Sequence, residues 1–572
     1  MGAISVVALA LWTFGVKAAP TIAICSTTFT PVTASAAFKA LDPGWNIGNT
    51  LDAVPNEGSW NNDPIQASTL ATIKGKGFKS IRIPVTWGYH FSDASPTWTV
   101  DKTFMDRVET VVDQVLALDL YAILNVHHDS WVWADPTVTN ANYTMIEEKF
   151  SRLWDQIGAR FACKSSKLIF EAINEPAGNT QEHGTLLNKL NDGFLKSINN
   201  AGGYNPQRVV SLSGLGQDMV KTSQWFVRGT SYPKQPWGLQ FHYYSPYDFI
   251  FQAWGKTIWG SEADKASMAQ DFAYFNGNFS SLPTFIGEWS AAPANTETAA
   301  RWKYTDAFIK LCKKYGYSQV LWDNGADQFQ RNTGNFNDPT QMGILFSAVQ
   351  GKTNTLADST TDPSLTSQNT SAILFHKYGD GVTSASVSYL LNGNTLLSIK
   401  SAGKTLRSGK DYTFSSSGML TLSQAYLSTI YAPTTAPGNL ATLALTFSSG
   451  APLTLNVTQY STPTISQKTY SLSQINLNSE FYVPINYAGL KQIASIKALL
   501  SDGRYLADDW TQWLPPLQQA RWTMGDWEWK DEGLKLNSNG LAKLKAAGTS
   551  VTLTLEFFPR VPGNTVDVTF TQ

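Results

Sequence analysis

Short apolar runs alternate with longer amphipathic segments between Phe38 and about Val349. Runs of Leu, Ile, Val and Phe that are apolar on both faces are typical of parallel strands, and helical segments between them indicate repeated β/α units. From Thr103 to Leu118, for example, apolar residues recur at helical spacing. The pattern predicts a (β/α)8 TIM barrel over residues 37–350. Its eight strands are expected to end near Trp45, Pro84, Val126, Ile173, Ser211, His242, Gly287 and Trp322.

A change of pattern after the barrel predicts a second unit. The segment from Lys352 to Thr370 is rich in Thr, Ser, Asp and Asn, which marks a boundary. From Ser386 to Gln459, short β-branched runs are separated by turn dipeptides such as Asn392-Gly393. We expect a β-sandwich of immunoglobulin-like size over residues 355–460. It contains no Trp, so we interpret it as a spacer domain.

The last unit, residues 461–572, is a second small all-β sandwich by prediction and contains a cluster of tryptophans. Five Trp fall within twenty residues, and strand-like runs follow at Val551 to Phe558 and Thr565 to Phe570. Because Trp is rarely fully buried, at least one or two should be exposed. The linkers 352–370 and 461–467 are short and lack Pro or Gly/Ser repeats, so this unit should stay close to the barrel and can extend its cleft. The residues expected to bind ligand in this unit are Trp510, Trp513, Trp527 and Trp529.

Composition limits the partner class. Charged residues make up 15% of the chain, the net charge is −1, and no basic cluster occurs, so nothing favours nucleic acid or an anionic membrane. Twenty Trp and twenty-two Tyr suit sugar binding, because flat rings cover the apolar faces of pyranose rings. A neutral polysaccharide partner is expected, with the protein as a monomer.

The first nineteen residues predict export. An apolar stretch from Ile4 to Phe14 precedes small residues at Ala18 and Ala19, as in a secretory signal peptide, although no basic residue precedes the stretch. We therefore expect a secreted, extracellular protein. No other segment approaches the roughly 20 apolar residues of a membrane helix.

The cysteines and the glycosylation sequons place few limits on the predicted structure. Three cysteines, Cys25, Cys163 and Cys312, do not make a disulfide framework. At most one bridge is expected, and buried free thiols are the preferred interpretation. Four sequons permit glycosylation of a secreted protein, at Asn142, Asn278, Asn369 and Asn456.

Two predicted strands lead into carboxylates at the point where each strand stops. The segments read LIFEAINEP from Leu168 to Pro176 and PTFIGEW from Pro283 to Trp289. Catalytic groups of such barrels gather at the carboxyl ends of the strands, so Glu175 and Glu288 should face one substrate. Glycoside hydrolysis requires two such acids.

These two segments resemble the acid/base and nucleophile motifs of glycoside hydrolase family 5. The resemblance implies that Glu175 is the acid/base and Glu288 the nucleophile, and that Arg82 keeps the nucleophile charged. His242 and Tyr244 are two apart and share a strand face; the resemblance places both around the carboxylates, with Tyr244 donating to Glu288.

The same resemblance assigns a sugar-binding surface. Asn174 would hold the sugar 2-hydroxyl and Trp322 would stack under the sugar at the cleavage point. His127 and His128 invite a metal interpretation, but adjacent strand residues point to opposite faces, so no metal and no cofactor are expected. The remaining substrate-site positions by resemblance or proximity are His127, His128, Asn46, Trp131 and, less directly, Trp133.

The two C-terminal units resemble the immunoglobulin-like spacer and the family 46 carbohydrate-binding module that follow some family 5 domains. The expected activity is that of a secreted, retaining endo-β-1,4-glucanase acting on cellulose and related β-glucans. The alternatives are an endohydrolase that prefers xyloglucan, mixed-linkage glucan or mannan, and a catalytically inactive glucan-binding or wall protein. The last requires loss of an essential carboxylate, and both are present.

Overall fold

The computed structural model describes residues 23–432 and 434–572, so the predicted signal peptide, residues 1–19, lies outside the described residues. Eight parallel strands close into a barrel in chain order, which confirms the predicted TIM barrel. The strands are β1 Gly44–Asn46, β2 Ser80–Ile83, β3 Tyr121–Asn125, β4 Leu168–Glu171, β5 Val210–Ser213, β6 Trp237–Tyr243, β7 Thr284–Trp289 and β8 Ser318–Leu321. Each ends within two residues of its predicted position.

Helices surround the barrel, and the amphipathic segment expected from Thr103 to Leu118 forms one of them. The helices are α1 Ala34–Lys39, α2 Ala67–Gly75, α3 Lys102–Ala117, α4 Tyr143–Phe161, α5 Gln181–Ala201, α6 Met219–Trp225, α7 Tyr247–Ile250, α8 Glu262–Phe279, α9 Thr298–Tyr315 and α10 Pro339–Val349. Among the described residues, no helix has the length and apolar content needed to cross a bilayer. A short hairpin, β9 Phe329–Gln330 and β10 Asn335–Phe336, follows β8.

The middle unit is a pair of sheets that packs on the last barrel helices. Its core includes Trp302 of α9 and Ile344 of α10, so the two units share buried apolar surface. The sheets are ordered β11-β13-β17-β16 and β12-β19-β18-β14-β15. The elements are β11 Leu356–Ala357, β12 Ile373–Lys377, β13 Ala385–Leu390, β14 Leu396–Ser401, β15 Lys404–Thr405, β16 Tyr412–Phe414, β17 Met419–Leu422, α11 Gln424–Leu427, β18 Gly438–Phe447 and β19 Leu453–Tyr460.

The third unit also has two sheets, ordered β20-β26-β25-β22 and β21-β24-β23. It contains a helix that the strand pattern did not predict, α12, which buries Leu541 and Leu544 against the sheets. The elements are β20 Thr469–Ser471, β21 Phe481–Pro484, β22 Ile493–Leu500, β23 Trp527–Lys530, β24 Gly533–Leu536, α12 Ser538–Ala546, β25 Val551–Phe557 and β26 Thr565–Thr571.

The expectation that Trp527 binds ligand is wrong. Trp527 is fully buried in the core of the third unit, and its indole N–H donates to the backbone carbonyl of Trp522, 3.0 Å away. Trp522 is buried beside it. By contrast, Trp510 is 42% and Trp513 82% exposed. The Trp cluster is therefore divided between core and surface.

The preference for free thiols is also wrong for two of the three cysteines. Cys25 and Cys163 form a disulfide across 138 positions, with Cα atoms 5.3 Å apart, while Cys312 is a buried free thiol. The bridge ties the start of the described chain to the residues after α4. Nothing in the spacing of the cysteines indicates this pairing, because only the folded barrel brings the two positions together.

Candidate active site

The carboxylates of Glu175 and Glu288 lie at the carboxyl end of the barrel. Glu288 lies within β7, and Glu175 lies four residues beyond the end of β4. Glu175 has a φ of 36°, a left-handed conformation that costs about 1–3 kcal/mol and is held only by its surroundings. Its backbone N–H donates to Oε1 of Gln217, 2.8 Å away. The turn between Asn174 and Pro176 thereby points the acid toward the barrel axis.

His242 joins the two carboxylates. Its Nδ1 lies 2.6 Å from Oε1 of Glu175 and 3.7 Å from Oε2 of Glu288. One oxygen of each carboxylate and a ring nitrogen of His242 all lie within 4.8 Å of one another. A single glycosidic bond can therefore contact both acids at once.

Arg82 lies beneath the nucleophile position and is fully buried. Its Nη1 donates to Oε1 of Glu288 at 2.5 Å, and its Nε and Nη2 donate to the two oxygens of Glu171, both at 2.7 Å. Burial opposes the charged form, but the carboxylates of Glu171 and Glu288 outweigh it and raise the pKa of Arg82. The guanidinium is thus a fixed positive charge under Glu288.

Opposing effects act on the two acids that Arg82 contacts. Burial would raise the pKa of Glu171, yet Arg82 lowers it to about 2. Burial raises the pKa of Glu288, and His242 and Arg82 counteract that rise.

Tyr244 Oη also donates to Oε2 of Glu288 at 3.0 Å. Burial, followed by the charges of Glu288 and Glu175, raises the pKa of Tyr244 well above its usual range, so its hydroxyl remains a donor.

The floor of the site carries two nearly parallel rings. Trp322 follows β8, and its ring lies 6.0 Å from that of His127, with 5° between the planes. Burial lowers the pKa of His127 well below its usual range, which keeps the imidazole neutral. Gly48 leaves room for the indole, since a Cβ at position 48 would lie 2.5 Å from the Trp322 ring.

Comparisons with known proteins agree with this geometry. A model of the cellulase family (glycosyl hydrolase family 5) matches residues 46–328. Endoglucanase B of Paenibacillus lautus is 30% identical over 484 residues, which cover 81% of this chain and 80% of that protein. The chain belongs to glycosyl hydrolase family 5.

Solved structures extend the likeness to all three units. A tri-modular family 5, subfamily 4 endo-β-1,4-glucanase from Bacillus licheniformis, complexed with cellotetraose, is 33% identical, with a TM-score of 0.83 over 94% of this chain and 99% of that chain. A broad specificity endoglucanase from Clostridium acetobutylicum is 29% identical, with a TM-score of 0.51 over 54% of this chain and 98% of that chain. The protein is a glycoside hydrolase of the endoglucanase class.

A model of carbohydrate binding domain X2 matches residues 368–457, where the sequence predicted a spacer. A match to a carbohydrate-binding domain does not support the interpretation of the middle unit as a spacer. The immunoglobulin-like assignment of this unit stays a prediction. The family 46 assignment of the third unit stays a prediction.

Asn46, a predicted substrate contact, is a support in this family 5 site instead, and it contacts Arg82, which was predicted to keep the nucleophile charged. Asn46 is fully buried; its Oδ1 accepts from Arg82 Nη1 at 2.9 Å, and its amide donates to the carbonyl of Gly287 at 3.0 Å. Arg82 is equally inaccessible. Asn174 Oδ1 accepts from Arg82 Nη2 at 2.7 Å, which orients its amide beside Glu175. Asn46 and Arg82 therefore act from beneath the carboxylates.

Aromatic rings line one rim of the cleft. Trp131 is 48% exposed, and its indole N–H donates to the carbonyl oxygen of Glu175 at 3.1 Å. The ring of His128 lies between those of Trp60 and Trp131, at centroid distances of 5.5 and 4.9 Å. Trp60 is 40% exposed and was not predicted, because it lies in a long loop after β1 without a motif. The indole N–H of Trp133 donates to Asp129 Oδ1 at 2.6 Å, and this ring is less exposed than that of Trp131.

The sequence also missed the buried polar residues that support the two acids. Glu171 lies inside the barrel and contacts Asn125, whose Nδ2 donates to it at 3.1 Å and lies 3.0 Å from Nδ1 of His127. An acidic residue within an apolar strand is the signal that could have found this pair, because a buried charge requires a partner.

Two triplets have the spacing of metal ligands, Glu175 with His242 and Glu288, and Asp52 with His127 and His128. In the first, the charge of Arg82 opposes a cation. In the second, Asp52 already accepts backbone N–H groups from Asn49 and Thr50, at 3.0 and 2.7 Å. The donor sets fit hydrogen bonding to hydroxyl groups, and the absence of a metal cofactor stays a prediction.

Proposed function

We propose that the protein is a secreted, retaining endo-β-1,4-glucanase that cleaves internal bonds of cellulose and related β-glucans. The observation that carries the proposal is the proximity of Glu175 and Glu288, with one oxygen of each within 4.8 Å. Retaining enzymes hold their carboxyl groups roughly 5 to 5.5 Å apart, whereas inverting enzymes need roughly 6.5 to 9.5 Å to admit a water. The spacing favours retention.

In the proposed reaction, Glu288 attacks the anomeric carbon while Glu175 protonates the departing oxygen. Glu175 then removes a proton from the water that hydrolyses the glycosyl-enzyme, acting as a base in the second step. Arg82 and Tyr244 hold the nucleophile from below and from the side. His242 contacts both acids and fixes their separation.

An endo mode of attack is supported by a cavity of about 810 Å³ that lies between the barrel and the third unit. The barrel contributes Tyr247 and Phe251 to it, and the third unit contributes Trp529. Trp529 also donates from its indole N–H to the carbonyl of Ala294, 3.3 Å away. A polymer chain that continues past the acids would run along these rings, so we propose that Trp529, with exposed Trp510 and Trp513, engages the polymer.

Xyloglucan or mixed-linkage glucan is a second candidate substrate, supported by the similarity to the broad specificity endoglucanase of Clostridium acetobutylicum. The same pair of acids can cleave any β-configured glucan backbone. Cellulose-type glucan remains the first choice because the tri-modular relative of greater structural similarity is an endo-β-1,4-glucanase.

The proposal of secretion is supported by the Cys25–Cys163 disulfide, since such bonds persist in oxidising, extracytoplasmic compartments. If the protein is exported in a glycosylating host, Asn142, Asn278 and Asn369 are the sequons with exposed side chains. Mass spectrometry of the exported protein would test both the cleavage after residue 19 and the use of these sites.

Side-by-side assay on carboxymethylcellulose, xyloglucan, barley β-glucan and mannan tests the activity, with Glu288→Gln as the inactive control. The proposal expects rapid loss of viscosity before reducing ends accumulate. Proton NMR of the first product should show the β anomer. An α-configured first product contradicts retention, and activity that is equal in Glu288→Gln contradicts the assigned site.

A further inference from the structure

The loop between α7 and α8 has a strained backbone. Gln252, Trp254 and Gly255 have φ values of 50°, 52° and 69°. Left-handed conformations at residues other than Gly cost about 1–3 kcal/mol each and persist only where the surroundings fix them. We call residues 252–257 the docking loop. Its shape must be held by contacts made outside the loop.

Those contacts come from the third unit. The Gln252 side chain is fully buried and donates to the carbonyl of Ala494. Trp254 donates twice, from its backbone N–H to Thr523 Oγ1 at 3.1 Å and from its indole to Asp508 Oδ2 at 3.0 Å. Each of the two strained residues that are not Gly is therefore fixed by the third unit.

Gly255 completes the contact by close approach. A Cβ at this position would lie 2.3 Å from Ser495 Oγ and 2.6 Å from Arg521 Cγ. Arg560, which is buried, donates from Nη1 to the Gly255 carbonyl at 3.0 Å. The docking loop is thus packed against the third unit without space for a larger residue.

The residue that precedes the docking loop packs near Tyr244, a hydrogen-bond partner of the proposed nucleophile. The ring of Phe251, the residue before the docking loop, lies 5.6 Å from the ring of Tyr244. Tyr244 in turn donates to Glu288 Oε2 at 3.0 Å. Phe251 therefore links the docking loop to the packing around the Tyr244 ring.

We propose that the third unit, acting through the docking loop, positions Tyr244 on Glu288, so that turnover of a substrate confined to the barrel depends on the docked third unit. Gln252, Trp254 and Gly255 are positioning residues, and Phe251 transmits their position. The proposal rests on the proposed function of Glu288 as the nucleophile. It differs from a role in polymer capture, because it requires no sugar to touch the third unit.

The test uses the full-length chain and an aryl cellobioside, whose two sugars and chromogenic leaving group fit within the barrel. The double variant Thr523→Val with Asp508→Ala removes both acceptors for Trp254. It should lower kcat about tenfold, equal to about 1.4 kcal/mol, with less than a twofold change in KM. Loss of the Tyr244 hydrogen bond favours the protonated form of Glu288, so the acidic limb of the kcat/KM profile should move to higher pH.

Controls separate positioning from general damage. The single variant Asp508→Asn leaves Thr523 intact and keeps an oxygen that can accept from the Trp254 indole. Its kcat and the acidic limb of its pH profile should therefore equal those of the wild type. Asp567→Ala removes an acceptor for Thr554 within the third unit, 2.7 Å away, and should leave both parameters unchanged. A loss in Asp567→Ala equal to that of the double variant would refute the docking-loop proposal.

Ser495→Phe provides an independent way to separate the surfaces, because it fills the space into which Gly255 packs. The expected result is the same fall in kcat and the same shift of the acidic limb. If both Ser495→Phe and the double variant retain wild-type kcat and pH profile, the coupling does not exist. Failure of the proposed function is distinguishable, since the wild-type protein would then match Glu288→Gln on this substrate.

Discussion

Glu288 is held by a permanent charge and by a neutral phenol. Arg82 supplies a charge that no physiological pH removes, and Tyr244 supplies a hydrogen bond that depends on a correct ring position. Hydrogen bonding to the charged form lowers a carboxyl pKa, whereas burial raises it. Two groups of different kinds therefore favour the ionised form of Glu288, the proposed nucleophile, against the effect of burial, and substitution of each should change activity in a different way.

Replacing the two acids should separate their roles. Glu288→Gln removes the attacking oxygen and should abolish nearly all turnover while melting temperature and sugar binding are preserved. Glu175→Gln removes the proton donor and should cost about 10²–10⁴-fold in rate, with azide restoring turnover of a substrate that has a good leaving group. If azide restored turnover of Glu288→Gln and left Glu175→Gln unaffected, the roles assigned to the two acids would have to be exchanged.

Tyr244→Phe should change the pH profile more than the fold. Removing the hydroxyl withdraws a hydrogen bond from the ionised form of Glu288, so the pKa of Glu288 rises. Activity that requires the carboxylate is lost as pH falls through that pKa, and the acidic limb of kcat/KM should therefore move upward. Tyr274→Phe, at an exposed helix position, is the matched control. An unmoved acidic limb in Tyr244→Phe would show that the hydrogen bond does not tune Glu288.

The motifs made Glu175 and Glu288 predictable, but not the residues beneath them. Glu171, Asn125 and Gln217 have no motif of their own, and their contacts join segments that are 46 positions apart in the chain. Asn46 was placed against the sugar because the first strand was expected to end near Trp45, whereas Asn46 is the last residue of β1 and the barrel turns its side chain inward. Direction of a side chain at a strand end depends on the last few dihedral angles, which the apolar pattern does not encode.

Among the elements, β2 and β4 are joined by a buried ion pair in addition to the barrel hydrogen bonds. Arg82 and Glu171 meet in the barrel interior with neither side chain exposed. Apolar runs predicted both strands, since burial on two faces leaves an unmistakable composition. The Cys25–Cys163 bridge and helix α12 were not predictable in the same way, because one bridge among three cysteines and a single helix of nine residues carry no comparable periodic signal.

Glu171→Gln should destabilise the barrel and flatten part of its pH dependence. Breaking a buried pair by removing one partner costs about 3–5 kcal/mol. The folded pKa of Glu171 is about 2, below its ordinary value of 4.5, so its contribution is fully present above the ordinary pKa and is lost as pH falls toward about 2. Denaturant unfolding between these pH values should show a smaller change in Glu171→Gln than in the wild type.

Glu109→Gln is the control for that measurement. Glu109 pairs with Arg160 and Lys164 in a partly exposed cluster on the outside of the barrel, where surface pairs contribute about 0–1 kcal/mol. Equal losses of stability in the two variants would mean that burial of the Arg82–Glu171 pair has no special consequence.

At the scale of the whole molecule, the third unit and the barrel together line one cavity. Its contacts with the barrel join positions more than 190 apart, such as Gln492 with Ala294, and no local pattern predicts such contacts. Short linkers did predict that the unit stays near the barrel. The linkers do not predict the docking surface, because that surface depends on the strained turn around Trp254.

The Trp cluster should separate into binding and folding positions when each is replaced by Ala. Trp527 is fully buried, so Trp527→Ala should cost about 3–5 kcal/mol of stability and lower the melting temperature. Trp513→Ala removes an 82% exposed ring, and Trp529→Ala removes a ring from the cleft; at least one of these, or Trp510→Ala, should weaken β-glucan binding with melting temperature preserved. Affinity electrophoresis on β-glucan gels with parallel thermal unfolding measures both. If the three accessible positions bind normally, or if every loss of binding follows a loss of folding, the third unit is not a glucan-binding module.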